Sequence, residues 1–569
     1  MKASNNIESF FASQSPSFLM EGFLFCCFGM VLIFPNMIFS GDYWYQTLHL
    51  MKWFFAFVPI AMMVMVLWIY SFRSHISFTI DFFSILWFIF LLYMAIQPVF
   101  IEISSIPSFI RGYVFFASLF ALYCLTLNFF KETMLSFILW GSSIAGVLSV
   151  FFAELQLLGI NGVFPFILNT PGHYIANTGQ QNMFGIWLAL CALNTMFLYI
   201  KKKSFNSGII ALFLLAIIEW GLWNTTSRSA IFGMAAGIFF MLIMALRTQT
   251  KETLKRTFAV VFIFLLVMAG IVEINKGRIG TLKDKFKDIL DHPTSVAKRD
   301  SIWLTSWTMF RSTPVSGVGL GQYKWHYLEA QREMRHLRPE KTWQFTYWAH
   351  NEYLQWICET GVIGGGWLLL LASWWLWNFT RLLLRKRSLS YEAFWGISIL
   401  ALILGTALWT RPFHRIEDAV WISVAFGVAN REIFLFQPLL SFSEKGQKIL
   451  FTFAGMCVLS ALLFFGHGLY GDRLVSLSLD SESAENKKNY LEKAATSLMV
   501  QDIAEKKLAY YYLNLGENHE NPELVAIGLN RLYNVFKQQP HSRELSVLLD
   551  WGKKLENKTL IQEMSSFIQ

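Results

Sequence analysis

Four groups of polar residues stand at the edges of apolar runs, and their types suit chemistry on a phosphate and a hydroxyl. His350 in "YWAHNEYLQ" is the first. An imidazole that titrates near neutral pH can take a proton from a hydroxyl and pass it on, as a general base must. On a helix following it, Asn351, Glu352, Gln355 and Glu359 would add polar groups at the lip of an apolar stretch. The simpler role for all of them is a polar cap on a membrane span, with Trp343, Tyr347 and Trp348 as an interfacial belt. Arg228, in "TTSRSA", sits between two apolar runs with almost no loop around it, where an unpartnered charge is costly. Its planar guanidinium matches phosphate oxygens, although snorkelling or ion pairing would be ordinary there. Arg299 opens "RDSIWLTSWTMFRSTPVSGVGLGQY", which ends in a glycine-rich turn. No Gly-Lys-Ser/Thr follows, so the turn is not a nucleotide-binding P-loop, and turning the chain is its plain use. Gln180, Gln181 and Asn182, in "ANTGQQNMFGIW", offer amides to sugar hydroxyls or a phosphate, or merely follow a helix start capped by Asn177 or Thr178. Arg411 and Arg415 could serve a diphosphate or pair with the neighbouring Glu417 and Asp418, and pairing is the simpler expectation.

What must position these residues is a membrane bundle. The chain has 569 residues, of which 55% are hydrophobic and only 15% charged, with a mean hydropathy of +0.44. A soluble protein is about a quarter charged. Apolar runs long enough to cross a bilayer recur along it and predict an all-α polytopic membrane protein with about thirteen transmembrane helices. They fall near residues 18–39, 52–71, 77–99, 112–130, 134–157, 183–200, 207–223, 230–246, 257–273, 361–380, 391–409, 416–430 and 449–469. The net charge of +9 does not call for nucleic acid, because the basic residues cluster in short loops. With a cytoplasmic N-terminus, Arg73, Lys131, Lys201–Lys203, Arg247, Arg381, Arg385–Arg387 and Arg431 fall inside. The outer loops then hold little beyond Lys52, Arg111, Arg228, Arg411 and Arg415. All four polar groups then share the outer face. The six cysteines lack metal or redox spacing and read as small hydrophobes. The first apolar run lacks a basic leader and a cleavage site, so it reads as a span rather than a removed signal.

The expected division is an N-terminal transmembrane bundle over 1–273, a large outer loop over 274–349, further transmembrane helices over 350–471 and a helical domain over 472–569. Connections as long as the 274–349 loop usually carry function. The last segment shows helical apolar spacing reminiscent of helix-pair repeats, without a clean 34-residue tetratricopeptide period.

Assembled, these stretches resemble the superfamily of O-antigen ligases and bacterial protein O-oligosaccharyltransferases. "HNEYLQWICETGVIGG" is similar to that superfamily's signature at the end of its large periplasmic loop, and "RDSIWLTSWTMFRSTPVSGVGLGQY" to the segment before it. "NTGQQN" resembles its Gly-x-x-Asn motif, and "SRSA" its Ser-Arg-Ser turn. The resemblance implies an inverting, metal-independent enzyme without cofactors in a bacterial inner membrane, its C-terminus periplasmic. It would move a preassembled glycan from undecaprenyl diphosphate to an acceptor hydroxyl. By position, Arg228 and Arg299 would hold the diphosphate and His350 would activate the acceptor, with Gln180, Gln181, Asn182, Asn351 and Glu352 binding substrate. The Gln180-Gln181-Asn182 run and the added C-terminal domain lean towards a protein acceptor such as a pilin. Lipid A-core, or a growing O-antigen or capsule polysaccharide, is the alternative. A transporter would need inverted repeats and midplane charges, which the sequence lacks.

Overall fold

The computed structural model describes residues 18–38, 48–73, 76, 78–202, 204–274, 294–341, 343–385, 388–434 and 440–568. The first part of the outer loop (275–293) and the inner-loop charges Lys203, Lys386 and Arg387 lie outside the described residues. Helices occupy all the expected spans: α1 (Phe18–Met37), α2 (Leu48–Ser71), α3 (Phe82–Ile96), α4 (Ile106–Phe129), α5 (Glu132–Leu157), α6 (Gln181–Lys201), α7 (Phe205–Asn224), α8 (Arg228–Thr248) and α9 (Lys251–Ile274). After the outer-loop helices α10 (Thr294–Ser312) and α11 (Tyr323–Leu337) come α12 (Glu352–Leu384), α13 (Tyr391–Ala407), α14 (Ile416–Ile433) and α15 (Glu444–Asp480). Among the described residues, eleven helices are long and apolar enough to cross a membrane. Of the other two in-register spans, α13 is a shorter apolar helix and α14 carries charge at both ends. The chain is a multi-pass, all-α membrane protein. Its strands among the described residues are a two-residue pair, β1 (Thr79–Ile80) against β2 (Leu440–Ser441).

Helix α6 is the axis of the bundle, buried from residue 183 to residue 200. Gly185 near its outer end lets α8 come close, since a Cβ there would lie 2.6 Å from Ser227 Cβ. One turn and then two along α8, Gly233 and Gly237 lie against Leu402 and Ser398 of α13. Small residues at such crossings let membrane helices pack backbone to backbone. Arg228, the first residue of α8, is thereby held at a fixed place at that end of the bundle. Lys52 is not an outer-loop charge as its position in the sequence suggests. It is fully buried at the start of α2, with Nζ 3.1 Å from Glu417 Oε1.

Helix α12 is broken at Gly361 (φ 63°, ψ −164°), where the segment after α10 lies against it. Val318 N–H and Gly319 N–H donate to the carbonyls of Cys358 and Glu359, and Val362 N–H donates to Pro314. Gln97 Nε2 and Tyr93 Oη, from the α3 side, donate to the Glu359 and Thr360 carbonyls. A broken helix frees backbone groups that must be paired inside a bilayer, and here the neighbouring chain pairs them. The glycine-rich stretch therefore does more than turn. A Cβ on Gly317 (φ +72°) would lie 2.5 Å from the Glu359 carbonyl carbon, so only glycine permits this approach.

The C-terminal helices are α16 (Ala484–Ala495), α17 (Gln501–Asn518), α18 (Pro522–Gln538), α19 (Ser542–Lys554) and α20 (Lys558–Ser565). The helix α15 runs without interruption from membrane span into this unit, where its Leu474 and Val475 pack with Leu491 and Leu508. Leu328 of α11 joins the core formed by Leu513, Leu532 and Leu548, so the outer loop and the C-terminal helices share one interior. A Gly317→Ala substitution is expected to cost about 2 kcal/mol or more through overpacking and a strained φ. Thermal unfolding of the detergent-solubilised protein reads this as a lower Tm, and an unchanged Tm would contradict the packing described.

Candidate functional site

His350 sits between Ala349 and the start of α12 with φ 51°, a conformation unusual for a side-chain-bearing residue. Both flanks fix it. Trp303 Nε1, from α10, donates to the Ala349 carbonyl at 3.1 Å, and Gln355 Oε1 accepts from Ala349 N–H. On the other side Asn351 caps α12, its Oδ1 accepting from Leu354 N–H at 3.1 Å. The imidazole itself has no hydrogen-bond partner among the described residues. Such strain is held only where the surroundings over-determine it, and it collects at functional sites.

Two guanidiniums act on this ring, and a third stands behind one of them. Burial, then the charges of Arg299 and Arg411, push the His350 pKa down to about 4. Arg299 is itself lowered by burial and by Arg228. Burial and Arg415 bring Arg411 down to about 10. Arg299 and Arg411 thus lie beside one histidine, with Arg228 next to Arg299. None of them makes an ion pair with a carboxylate among the described residues. Arg299 and Arg411 instead lie over the rings of Trp409 (5.9 Å) and Trp348 (4.3 Å). Guanidiniums gathered without a directly paired carboxylate form a site suited to an anion.

The Arg411 loop is placed by Glu352. This buried carboxylate accepts from Phe413 N–H (2.7 Å) and His414 N–H (3.2 Å) and lies 2.6 Å from His414 Nδ1. Burial would lower the His414 pKa, but the Glu352 carboxylate outweighs it and raises the pKa above its ordinary value. Beneath the loop, Arg415 pairs with Asp418 (2.7 Å) and Glu417 (3.2 Å), and Lys52 meets the same Glu417. Pairing with these carboxylates, expected for both arginines, holds for Arg415 alone. Arg411 makes no ion pair with them among the described residues, although their charges and that of Glu352 act on it.

The other sequence candidates divide. Gln181 donates to Thr226 Oγ1 at 3.3 Å, beside the Arg228 turn, while Gln180 and Asn182 are exposed next to it. Neither Asn177 nor Thr178 caps α6, because Asn177 bonds Leu168, Met37 and Phe166 and pins the preceding loop. Asn351 and Glu352 spend their side chains on the protein's own backbone and on His414. Sequence reasoning missed His414 and set aside Arg411. The signal available was the density of charge in "RPFHRIED", more than a short outer loop needs.

Residues 210–369 match the family model for O-antigen ligase, a segment that contains Arg228, Arg299 and His350. The match supports an O-antigen ligase-like relationship over this segment and glycan transfer of that general type. That family works with a lipid-linked glycan donor and an acceptor. No curated protein matches the chain.

The two loop arginines are expected to behave oppositely. Arg415→Ala leaves Glu417 and Asp418 buried with less compensation and should cost about 3–5 kcal/mol. Arg411→Ala should leave Tm nearly unchanged yet weaken inorganic diphosphate binding in calorimetry by about tenfold or more. Equal effects of the two on stability would contradict the division of labour.

Proposed function

We propose that this chain transfers a preassembled glycan from undecaprenyl diphosphate to an acceptor hydroxyl at the outer face of the bacterial inner membrane. The observation that carries the reading is the gathering of Arg299 and Arg411, neither ion-paired to a carboxylate among the described residues, at His350, with Arg228 beside Arg299. The acceptor oxygen attacks C1 of the first donor sugar as its proton passes to His350. The C1–O bond to phosphate breaks, and undecaprenyl diphosphate leaves with its charge held by the arginines. Such a donor already carries a good leaving group, so charge stabilisation, a base and alignment suffice.

The orientation that fits has the N-terminus cytoplasmic and the C-terminus periplasmic. A protein Ser/Thr, such as that of a pilin, is the acceptor we favour. What supports it is the helical unit fixed beside the site through Arg111–Asp502 (3.0 Å), Gln539–Ser105 (3.1 Å) and Tyr347–His541. That unit offers a docking surface within reach of the outer loop.

Transfer by the purified protein from lipid-linked oligosaccharide to a pilin, with lipid A-core as the competing acceptor, tests the reading. His350→Ala should lower turnover by a factor of about 10² to 10⁴, the usual worth of a general base. Full activity in that variant would remove His350 from the mechanism. Glycan on lipid A-core alone would keep the chemistry and replace the acceptor.

The pH dependence has a definite sign. Neutral imidazole is the competent base, so activity is lost as pH falls through the His350 pKa, about 4 in the empty site. A bound diphosphate neutralises Arg299 and Arg411 and should raise that pKa. The acid limb of kcat is therefore expected at higher pH than that of kcat/KM, since the two report the bound and free enzyme. Coincident limbs would mean that the arginines do not hold the diphosphate next to the base.

A further inference from the structure

Trp348, on which Arg411 rests, also lines a cavity of about 190 Å³ that contains none of Arg228, Arg299, His350 or Arg411. Its walls come from α2 (Trp53), α4 (Ser108, Arg111, Gly112, Phe115, Phe116), α11 (Tyr323, Lys324) and α12 (Gln355, Glu359), with His414 from the Arg411 loop. Aromatic faces alternate with planar polar groups, a lining suited to a ring that has both C–H faces and hydroxyl edges.

Its most specific feature is a gap. His414 Nε2 is buried without a hydrogen-bond partner, in a side chain only 8% exposed, and it lies 4.0 Å from Glu359 Oε2. That distance is too long for a direct hydrogen bond. Nδ1 is committed to Glu352, and the imidazolium favoured by that carboxylate leaves Nε2–H as a donor. Glu359 Oε2 accepts from Gly321 N–H at 2.9 Å and retains a further lone pair. A hydroxyl oxygen about 2.8 Å from each atom would accept from Nε2–H and donate to the carboxylate, satisfying both.

We propose that this cavity is a subsite for one sugar ring, seated with a hydroxyl between His414 and Glu359. The proposal rests on the glycan-transfer reading and gives that site its saccharide pocket. The ring belongs either to the first sugar of the donor or to a sugar of the acceptor. Lys324, at the cavity wall and lowered to about 7 by burial, then Arg111, adds a donor that is charged or neutral near physiological pH.

The test uses the full chain in detergent and free N-acetylglucosamine, N-acetylgalactosamine and galactose, with binding followed by saturation-transfer NMR. At least one sugar should bind saturably. Affinity should fall by about tenfold or more in Gly112→Leu, which fills the cavity, and in Lys324→Met, which removes a donor at its wall. A Cβ on Gly112 meets only the Leu320 side chain, at 3.3 Å, and the Tm of this variant reports whether it folds, with Lys324→Met as the second, independent variant. No saturable binding by any of the sugars, meaning that the gap holds only water, would overturn the proposal. So would binding that both variants leave untouched. In the transfer assay, a raised KM for the lipid-linked donor identifies the donor's sugar as occupant, a raised KM for the acceptor identifies the acceptor's, and neither rising overturns the subsite. Binding of inorganic diphosphate is measured separately, and its absence would sink the arginine site without touching the sugar result.

Discussion

One buried carboxylate holds the site together. Glu352 belongs to the first turn of α12, yet its oxygens are taken by two backbone N–H groups and an imidazole from the loop between α13 and α14. Leaving a carboxylate in a low-dielectric place without such partners would cost several kcal/mol. The loop therefore has no free choice of conformation. Because it is fixed, Arg411 reaches the histidine that precedes Glu352 by two residues, and His414 reaches the cavity behind Trp348. The Lys52–Glu417–Arg415–Asp418 cluster supports the same loop from below. Charge is thus used in two ways within a few residues: compensated below, where it carries the backbone, and uncompensated above, where it awaits an anion.

The unpaired arginines have a price for the empty enzyme, and it falls on the base. Burial first, and then the field of Arg299 and Arg411, keep His350 neutral and weakly basic until something negative arrives. This makes chemical competence depend on the donor being seated, and it discourages proton uptake when no glycan is present. The strained backbone at His350 is consistent with that role, because Trp303 and Gln355 hold Ala349 while Asn351 fixes the helix start. The kink at Gly361 completes the arrangement. It lets the outer segment lie against α12, so that Arg299 and His350, distant in sequence, are carried by packed elements.

Much of this was legible in the sequence, and the reasons are physical. Bilayer thickness imposes a span length, so the helices fell where long apolar runs stand, including α13 and α14. His350, Arg228 and Arg299 stood out because a polar side chain at a membrane edge is conspicuous against an apolar background. Arg411 and Arg415 could not be told apart, since which of two neighbouring arginines pairs with Glu417 and Asp418 depends on the local turn. Glu352 and His414 are separated by 62 positions and meet only through tertiary structure. Lys52 looked like a loop charge because its partner lies on α14. The glycines of "SGVGLGQY" read as a turn, whereas the helix carbonyls they approach belong to another segment.

The most direct measurement is a cryo-electron microscopy structure of the protein bound to undecaprenyl diphosphate. The account predicts phosphate oxygens within hydrogen-bonding distance of Arg228, Arg299 and Arg411, with the imidazole of His350 facing the end where the sugar would be attached. A diphosphate seated elsewhere on the protein, with these three guanidiniums unoccupied, would contradict it.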